Sequence, residues 1–173
     1  MLFCKNAVIA FSLPMLFGCG FQPIFGTGVN PEISSEIRYI EISPISDQIG
    51  QQLRNHLVHN ITPMGGLGVT KYKLNVTLTE SKQNLAIKKS EIATRANLRF
   101  VAKYELIFKS GGKPITTGQS RMTTSYNILK QTFATLIAEK DARKRAVREI
   151  SADIGDKLST FFRLNRDKIK KFK

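Results

Sequence analysis

The chain is predicted to fold as an α+β two-layer sandwich of element order β-α-β-β-β-α, in which a mostly antiparallel sheet is covered on one face by two helices. Three observations support this prediction. The apolar residues have helical spacing over 49–61, alternate with polar residues over 72–78 and 96–108, and return to helical spacing from Phe133 onward. Long antiparallel strands with one apolar face need cover on that face, and two amphipathic helices supply it.

The first two elements are a short strand and a helix. Residues 37–43 are rich in β-branched side chains and are followed by Pro44, which favours a strand that ends there. Ser46 is then a candidate N-cap for a helix of about four turns. The apolar residues of that helix recur at helical spacing and are Ile49, Leu53, Leu57 and Ile61.

Three long strands are predicted in the middle of the chain. Apolar residues alternate with polar ones over 72–78 and again over 96–108, so each segment has one buried face and one polar face. Residues 81–94 are polar and less regular and are expected to form an irregular connection, although 85–89 could extend either strand. Gly111 and Gly112 predict a hairpin turn into a third strand over 115–127.

The last element is a long amphipathic helix that begins near Phe133. Its predicted apolar stripe comprises Leu136, Ile137, Val147, Ile150, Ile154, Leu158 and Phe161. Glu139 and Arg143 are four residues apart, as are Asp141 and Arg145, and both pairs are interpreted as belonging to a solvated face. The folded domain is thus expected to span 37–163, and 164–173 form a basic C-terminal tail.

The N-terminus has the pattern of an export signal. Residues 1–18 contain one base, Lys5, and an apolar run that is too short to span a bilayer. Leu16-Phe17-Gly18-Cys19 resembles the bacterial lipobox, in which the cysteine becomes the acylated first residue of the mature protein. We therefore expect a lipoprotein signal over 1–18, lipidation of Cys19 and a lipid-anchored linker over 19–36. An ordinary signal peptide that is cleaved near a cysteine is the alternative.

The charge of the chain limits the classes of ligand that it is expected to bind. The formal net charge is +14, and removal of residues 1–18 leaves 26 bases against 13 acids. A strongly basic domain binds polyanions. Because an exported protein rarely meets nucleic acid, the expected polyanions are lipopolysaccharide, anionic lipid or an acidic protein surface. Cys4 leaves with the signal, so no disulfide is expected after cleavage.

Two groups of basic residues are candidates for binding a phosphorylated ligand. Arg95, Arg99 and Lys103 fall on one strand face by period two, and Lys71 and Lys73 are expected to share that face on a neighbouring strand. Lys82, Lys88 and Lys89 lie in the expected connection, where a loop can reach a ligand that a flat sheet cannot. The alternative is a basic, solvated surface that keeps the protein soluble.

No pattern indicates catalysis, a cofactor or a metal. His56 and His59 are three residues apart, but no Asp, Glu or Cys accompanies them as a ligand set. The chain is therefore not expected to be an enzyme.

The chain also resembles a known family. Its Cys-Gly-Phe-Gln-Pro-Ile-Phe-Gly segment at 19–26 is similar to the start of mature lipopolysaccharide-assembly lipoproteins of the LptE type, especially the alphaproteobacterial ones. Phe133-Ala134, followed by Ala-Glu-Lys-Asp-Ala at 138–142, is similar to the beginning of that family's last helix. The β-α-β-β-β-α order agrees with both.

The resemblance implies a function that periodicity alone does not. Members of this family plug the barrel of a large outer-membrane translocon protein of the LptD type, help that barrel to assemble, and assist lipopolysaccharide to reach the outer leaflet. Direct binding of lipopolysaccharide through basic residues is also expected. Gly20, rather than Asp, as the second mature residue favours anchoring in outer-membrane lipid. The competing hypothesis is a stand-alone anchored module that binds anionic glycolipid or cell-wall polymer.

Overall fold

The computed structural model describes residues 36–62, 69–87 and 93–165, without the side chains of 85–87, 93 and 94. The sheet has the order β1-β2-β3-β4, with β1 parallel to β2 and the other neighbours antiparallel. This confirms the predicted α+β class and element order. The elements are β1 (Ile40–Ile42), α1 (Asp47–Ile61), β2 (Tyr72–Ile87), β3 (Ala93–Phe108), β4 (Thr116–Asn127) and α2 (Thr132–Leu164).

The hairpin of β2 and β3 is longer than predicted. The two strands stay in register from the Tyr72–Phe108 pair to the Ile87–Ala93 pair. The irregular connection expected over 81–94 is therefore mostly strand. Side chains that are polar on both faces hide the alternation in this stretch, whereas the backbone hydrogen bonds of an antiparallel pair form whatever the side chains are.

The first strand is shorter than predicted, because it pairs with β2 only over Tyr72–Leu74. Ser46 lies at the N-cap position of α1, but its side chain makes no capping hydrogen bond. Gly111 and Gly112 have φ of 92° and 112°, so the turn between β3 and β4 uses backbone conformations that other residues rarely adopt.

The core lies between the two helices and one face of the sheet. The even-numbered residues of β3 from Ala96 to Leu106 are buried and face the helices. They pack with the inward residues of the helices, which are Leu53, Leu57, Ile61, Ala142, Ala146, Val147, Ile150, Ile154, Leu158 and Phe162. We call this side the covered face of the sheet and the opposite side the open face.

The apolar stripe predicted for α2 is wrong at its N-terminal end, where Leu136 and Ile137 are exposed. Near the C-terminus, Phe162 is buried and Phe161 is partly buried against the core. Among the described residues, no helix combines the length and the apolar character that crossing a membrane would require.

Candidate ligand-binding face

The open face of the sheet is formed by the odd-numbered residues of β2, β3 and β4. Facing pairs on this side include Thr77 with Lys103 and Arg99 with Thr123. Most of the side chains here are Thr, Ser, Asn or Gln, and many of them are exposed. Neither helix covers this side, because both pack against the even-numbered residues.

Four exposed cations project from β3 and β4 on the open face: Arg95, Arg99, Lys103 and Arg121. We call them the β3–β4 cationic surface. Arg95, Arg99 and Lys103 share the predicted face at intervals of four residues, or about 13 Å along a strand. Arg121 lies opposite Val101, between Arg99 and Lys103. Diagonal neighbours in a sheet are about 7–8 Å apart, so Arg121 closes the gap between the other two.

Arg121 is not among the binding residues that the sequence predicts. The signal was present, because Thr117, Gln119, Arg121 and Thr123 form the polar half of an alternation. The position of Arg121 beside Arg99 and Lys103 is set by the β3–β4 register, and this register depends on how the turn at Gly111 and Gly112 closes.

The cationic surface is free of salt bridges to any described residue. Arg95 donates a hydrogen bond of 2.6 Å to Ser125 Oγ. The nearest acid along β3 is Glu105, which accepts a hydrogen bond of 3.0 Å from Asn75 Nδ2. The guanidinium groups of Arg99 and Arg121 and the ammonium group of Lys103 are therefore available to bind phosphate or carboxylate by charge-assisted hydrogen bonds.

A shallow depression of about 520 Å³ lies beside this surface. Lys103 lines it, together with the polar side chains of neighbouring strands: Asn75, Thr77, Glu105, Thr117 and Gln119. Its lining combines one cation, Lys103, with one carboxylate, Glu105, and several hydroxyl and amide groups, which suits a hydrated sugar better than an apolar ligand.

Two of the predicted binding residues lie at the other end of the sheet. Lys73 is on the open face, but it faces Ile107 and Glu41 instead of the cationic surface. Lys71 precedes β2 and forms a salt bridge of 3.3 Å with Glu36. Its Nζ also lies 4.0 Å from the centre of the Tyr39 ring, so Lys71 is engaged within the domain.

Lys82 does not lie in a loop, contrary to the sequence prediction. It is part of β2, pairs with Leu98 and so projects from the covered face. Its Nζ donates to Glu139 of α2 at 2.9 Å. The hydrogen bonds with Tyr126 and Glu139 raise the pKa of Lys82. These contacts make Lys82 part of a structural network.

That network joins the sheet to α2 beyond the apolar core. Tyr126 donates to Glu139 at 2.6 Å, and Arg143 binds Glu139 at 2.6 Å and Glu80 at 2.9 Å. Partial burial would raise the pKa of Glu139, but the hydrogen bonds from Tyr126 and Lys82 and the charge of Arg143 hold it below its usual range. The Glu139–Arg143 pair therefore faces the sheet, whereas the Asp141–Arg145 pair is exposed as predicted.

The remaining candidate residues, Cys19, Lys88 and Lys89, lie outside the described residues, and their predicted roles stay predictions. Within 36–62, 69–87 and 93–165, no group of three or more His, Cys, Asp or Glu residues could hold a metal ion.

The α+β fold is shared with several solved bacterial lipoproteins. The similar solved structures include a lipoprotein from Caulobacter crescentus CB15, with a TM-score of 0.62 at 20% identity over 76% of this chain and 96% of that one. A minor lipoprotein from Acinetobacter baumannii gives 0.51 at 19% identity over 70% and 88% of the two chains. Lipoprotein B from Nitrosomonas europaea gives 0.55 at 15% identity over 70% and 82%.

The family follows from a separate comparison. The family model for LptE, described as lipopolysaccharide-assembly, matches residues 37–160. The chain therefore belongs to the LptE family of lipopolysaccharide-assembly lipoproteins, as the resemblance predicted. No match was found among curated protein sequences.

Proposed function

We propose that this protein is an outer-membrane lipoprotein, acylated at Cys19, that plugs and helps to assemble a lipopolysaccharide-export barrel of the LptD type. In this proposal its β3–β4 cationic surface binds the phosphorylated part of lipopolysaccharide. Membership of a lipopolysaccharide-assembly family supports the pathway. The observation that supports lipopolysaccharide as the ligand is the set of exposed cations on the open face, which have no acidic partner among the described residues.

The chemistry of the ligand supports this choice of face. Lipopolysaccharide carries phosphate groups on sugars, and arginine binds phosphate through two parallel N–H···O bonds. Arg99 and Arg121 lie on adjacent strands, so both can reach one phosphorylated disaccharide while Lys103 lies beside the polar depression. Lys73 lies apart from this group and is assigned a minor role.

The first experiment measures lipopolysaccharide binding by the double charge reversal Arg99→Glu with Arg121→Glu. We expect affinity to fall at least about tenfold at low salt, with a smaller loss at high salt, because exposed charges are screened. The matched control is Lys113→Glu with Arg148→Glu, which makes the same charge change at exposed positions off the face. Equal loss in both variants would show that net charge alone governs binding and would discard the site.

The second experiment tests the partner and the anchor. Gentle detergent extracts of intact envelopes are expected to yield this protein and a large β-barrel protein in about equal amounts. Mass spectrometry is expected to find an acylated Cys19 at the N-terminus of the parent protein and no acyl chain on the Cys19→Ser variant. Recovery of free monomer alone would instead favour the stand-alone module that binds anionic glycolipid or cell-wall polymer, for which the basic charge is the supporting observation.

A further inference from the structure

The first turns of α2 differ from the rest of the helix in which side chains face the sheet. From Ala142 onward, buried apolar residues face the sheet. In the turns around Ala142, Glu139 and Arg143 also face the sheet and bind Lys82, Tyr126 and Glu80. The large apolar residues of the first turns face outward instead: Phe133, Leu136 and Ile137 have 74%, 58% and 48% of their surface exposed.

The outward residues form one continuous face. Phe133, Leu136 and Ile137 are spaced at i, i+3 and i+4, and Lys140 and Lys144 continue the same side at i+7 and i+11. We call these five residues the outer face of α2. Leu129, which is half-exposed, adjoins the first turn because its backbone N–H donates to Thr135 Oγ1 at 2.9 Å.

The charges beside the apolar residues indicate what covers them. Lys140 and Lys144 are exposed and form no salt bridge with a described residue, and Lys130 beside Leu129 is likewise exposed. Protein–protein interfaces are depleted in lysine. Exposed Phe, Leu and Ile flanked by lysine on one side of a helix are typical of a surface that lies in the headgroup region of an anionic bilayer.

We propose that the outer face of α2 docks onto an anionic phospholipid surface. Phe133, Leu136 and Ile137 enter the boundary between headgroups and acyl chains, and Lys140 and Lys144 contact the phosphates. The inward network at Glu139 holds these turns against the sheet, so the face is preorganised before it meets lipid. This inference goes beyond the proposed function and concerns the chain by itself, without barrel or lipopolysaccharide.

The outer face would attach the domain to the membrane at a point separate from the acylated N-terminus. Phe162, near the C-terminal end of α2, packs on Tyr72 with ring centres 5.3 Å apart, and Tyr72 pairs with Ile40 at the start of the domain. The outer face therefore lies at the opposite end of α2 from the point where the chain enters the domain. A helix of 33 residues is about 50 Å long, so the outer face lies tens of Å from the point where the chain enters the domain.

The chain contains no tryptophan, which permits a position-specific test. The protein from residue 19 onward, carrying Cys19→Ser to exclude acyl binding, receives Leu136→Trp, or Thr123→Trp on the open face as the matched control. Each is mixed with vesicles of phosphatidylethanolamine and phosphatidylglycerol that contain brominated acyl chains. We expect a blue shift and strong quenching for Leu136→Trp, little of either for Thr123→Trp, and neither with phosphatidylcholine vesicles.

A second measurement separates apolar insertion from attraction by net charge. The triple variant Phe133→Ser, Leu136→Ser, Ile137→Ser is expected to co-sediment at least about tenfold more weakly with the anionic vesicles at high salt. Unchanged Leu136→Trp emission in vesicles, or full binding by the triple variant, would overturn the proposal. So would shielding of Leu136→Trp by a co-purified barrel protein but not by lipid. Neither measurement involves lipopolysaccharide binding. If the membrane-docking proposal fails, the proposed function is still tested separately by the experiments described for it.

Discussion

The two faces of the sheet both carry basic residues, but these residues have different partners. On the covered face, Lys82 is held by Glu139 of α2, which also binds Arg143. On the open face, Arg99, Lys103 and Arg121 have no acidic partner among the described residues. A basic residue on this sheet is therefore structural or free to bind a ligand according to whether an acid of a neighbouring element reaches it.

The largest difference between the faces is expected in the core. Phe100→Ala removes a fully buried ring from the covered face and is expected to lower the free energy of unfolding by about 3–5 kcal/mol. Thr123→Ala, on the open face, is expected to change it by less than about 0.5 kcal/mol. Urea unfolding of both variants measures this, and comparable losses would mean that the open face is packed against something.

The next effect concerns the Tyr104–Gly118 pair across β3 and β4. A Cβ at position 118 would overlap the Tyr104 ring, so Gly118→Ala is expected to cost about 1–3 kcal/mol. The matched control is Gly155→Ala in α2, where a Cβ meets nothing within 4 Å and is expected to stabilise by about 0.5–1 kcal/mol.

A double-mutant cycle sharpens this prediction. Combining Gly118→Ala with Tyr104→Ala is expected to cost less than the sum of the two single changes, because the second change removes the ring that the new methyl group meets. Additive losses in the cycle would refute the steric explanation.

The third effect depends on pH. Glu139→Gln removes the negative charge and one of the two acceptor oxygens that Lys82, Tyr126 and Arg143 share, and is expected to cost about 1–3 kcal/mol at neutral pH. Because the folded pKa of Glu139 lies below its ordinary 4.5, the contribution of the carboxylate is fully present above pH 4.5. It is lost as the pH falls through the folded value, so the parent and the variant converge in acid.

The control for this prediction is Asp141→Asn, which breaks the exposed pair with Arg145. Its cost is expected to be only about 0.3–0.5 kcal/mol at low salt. A pH-independent gap between the parent protein and Glu139→Gln in urea unfolding would contradict the network as described.

The smallest effect on stability is expected on the cationic surface. Arg99→Ala with Arg121→Ala should change the free energy of unfolding by less than about 0.5 kcal/mol for each residue, since neither side chain has a partner in the described structure. The same variant is expected to bind lipopolysaccharide more weakly at low salt, as measured by fluorescence titration. A large loss of stability would show that both arginines stabilise the folded domain and would argue against their being free to bind a ligand.

The periodicity of the chain was sufficient to predict the element order, the buried faces of β2 and β3 and the shared face of Arg95, Arg99 and Lys103. These features depend on spacing within one segment, and an α-helix or a β-strand fixes which of its own residues lie on the same side. The family resemblance was likewise local, and the match to residues 37–160 confirms it.

Only the tertiary structure decided which element each face meets. The length of the β2–β3 hairpin, the position of Arg121 between its neighbours and the pairing of Lys82 with Glu139 all join residues that are far apart in the chain. The orientation of the first turns of α2 is of this kind as well, because helical spacing places Ile137 and Glu139 on different sides of the helix but does not say which side turns toward the sheet. That choice depends on the charged partners that β2 offers at its far end, and these are in place only once the two layers have packed.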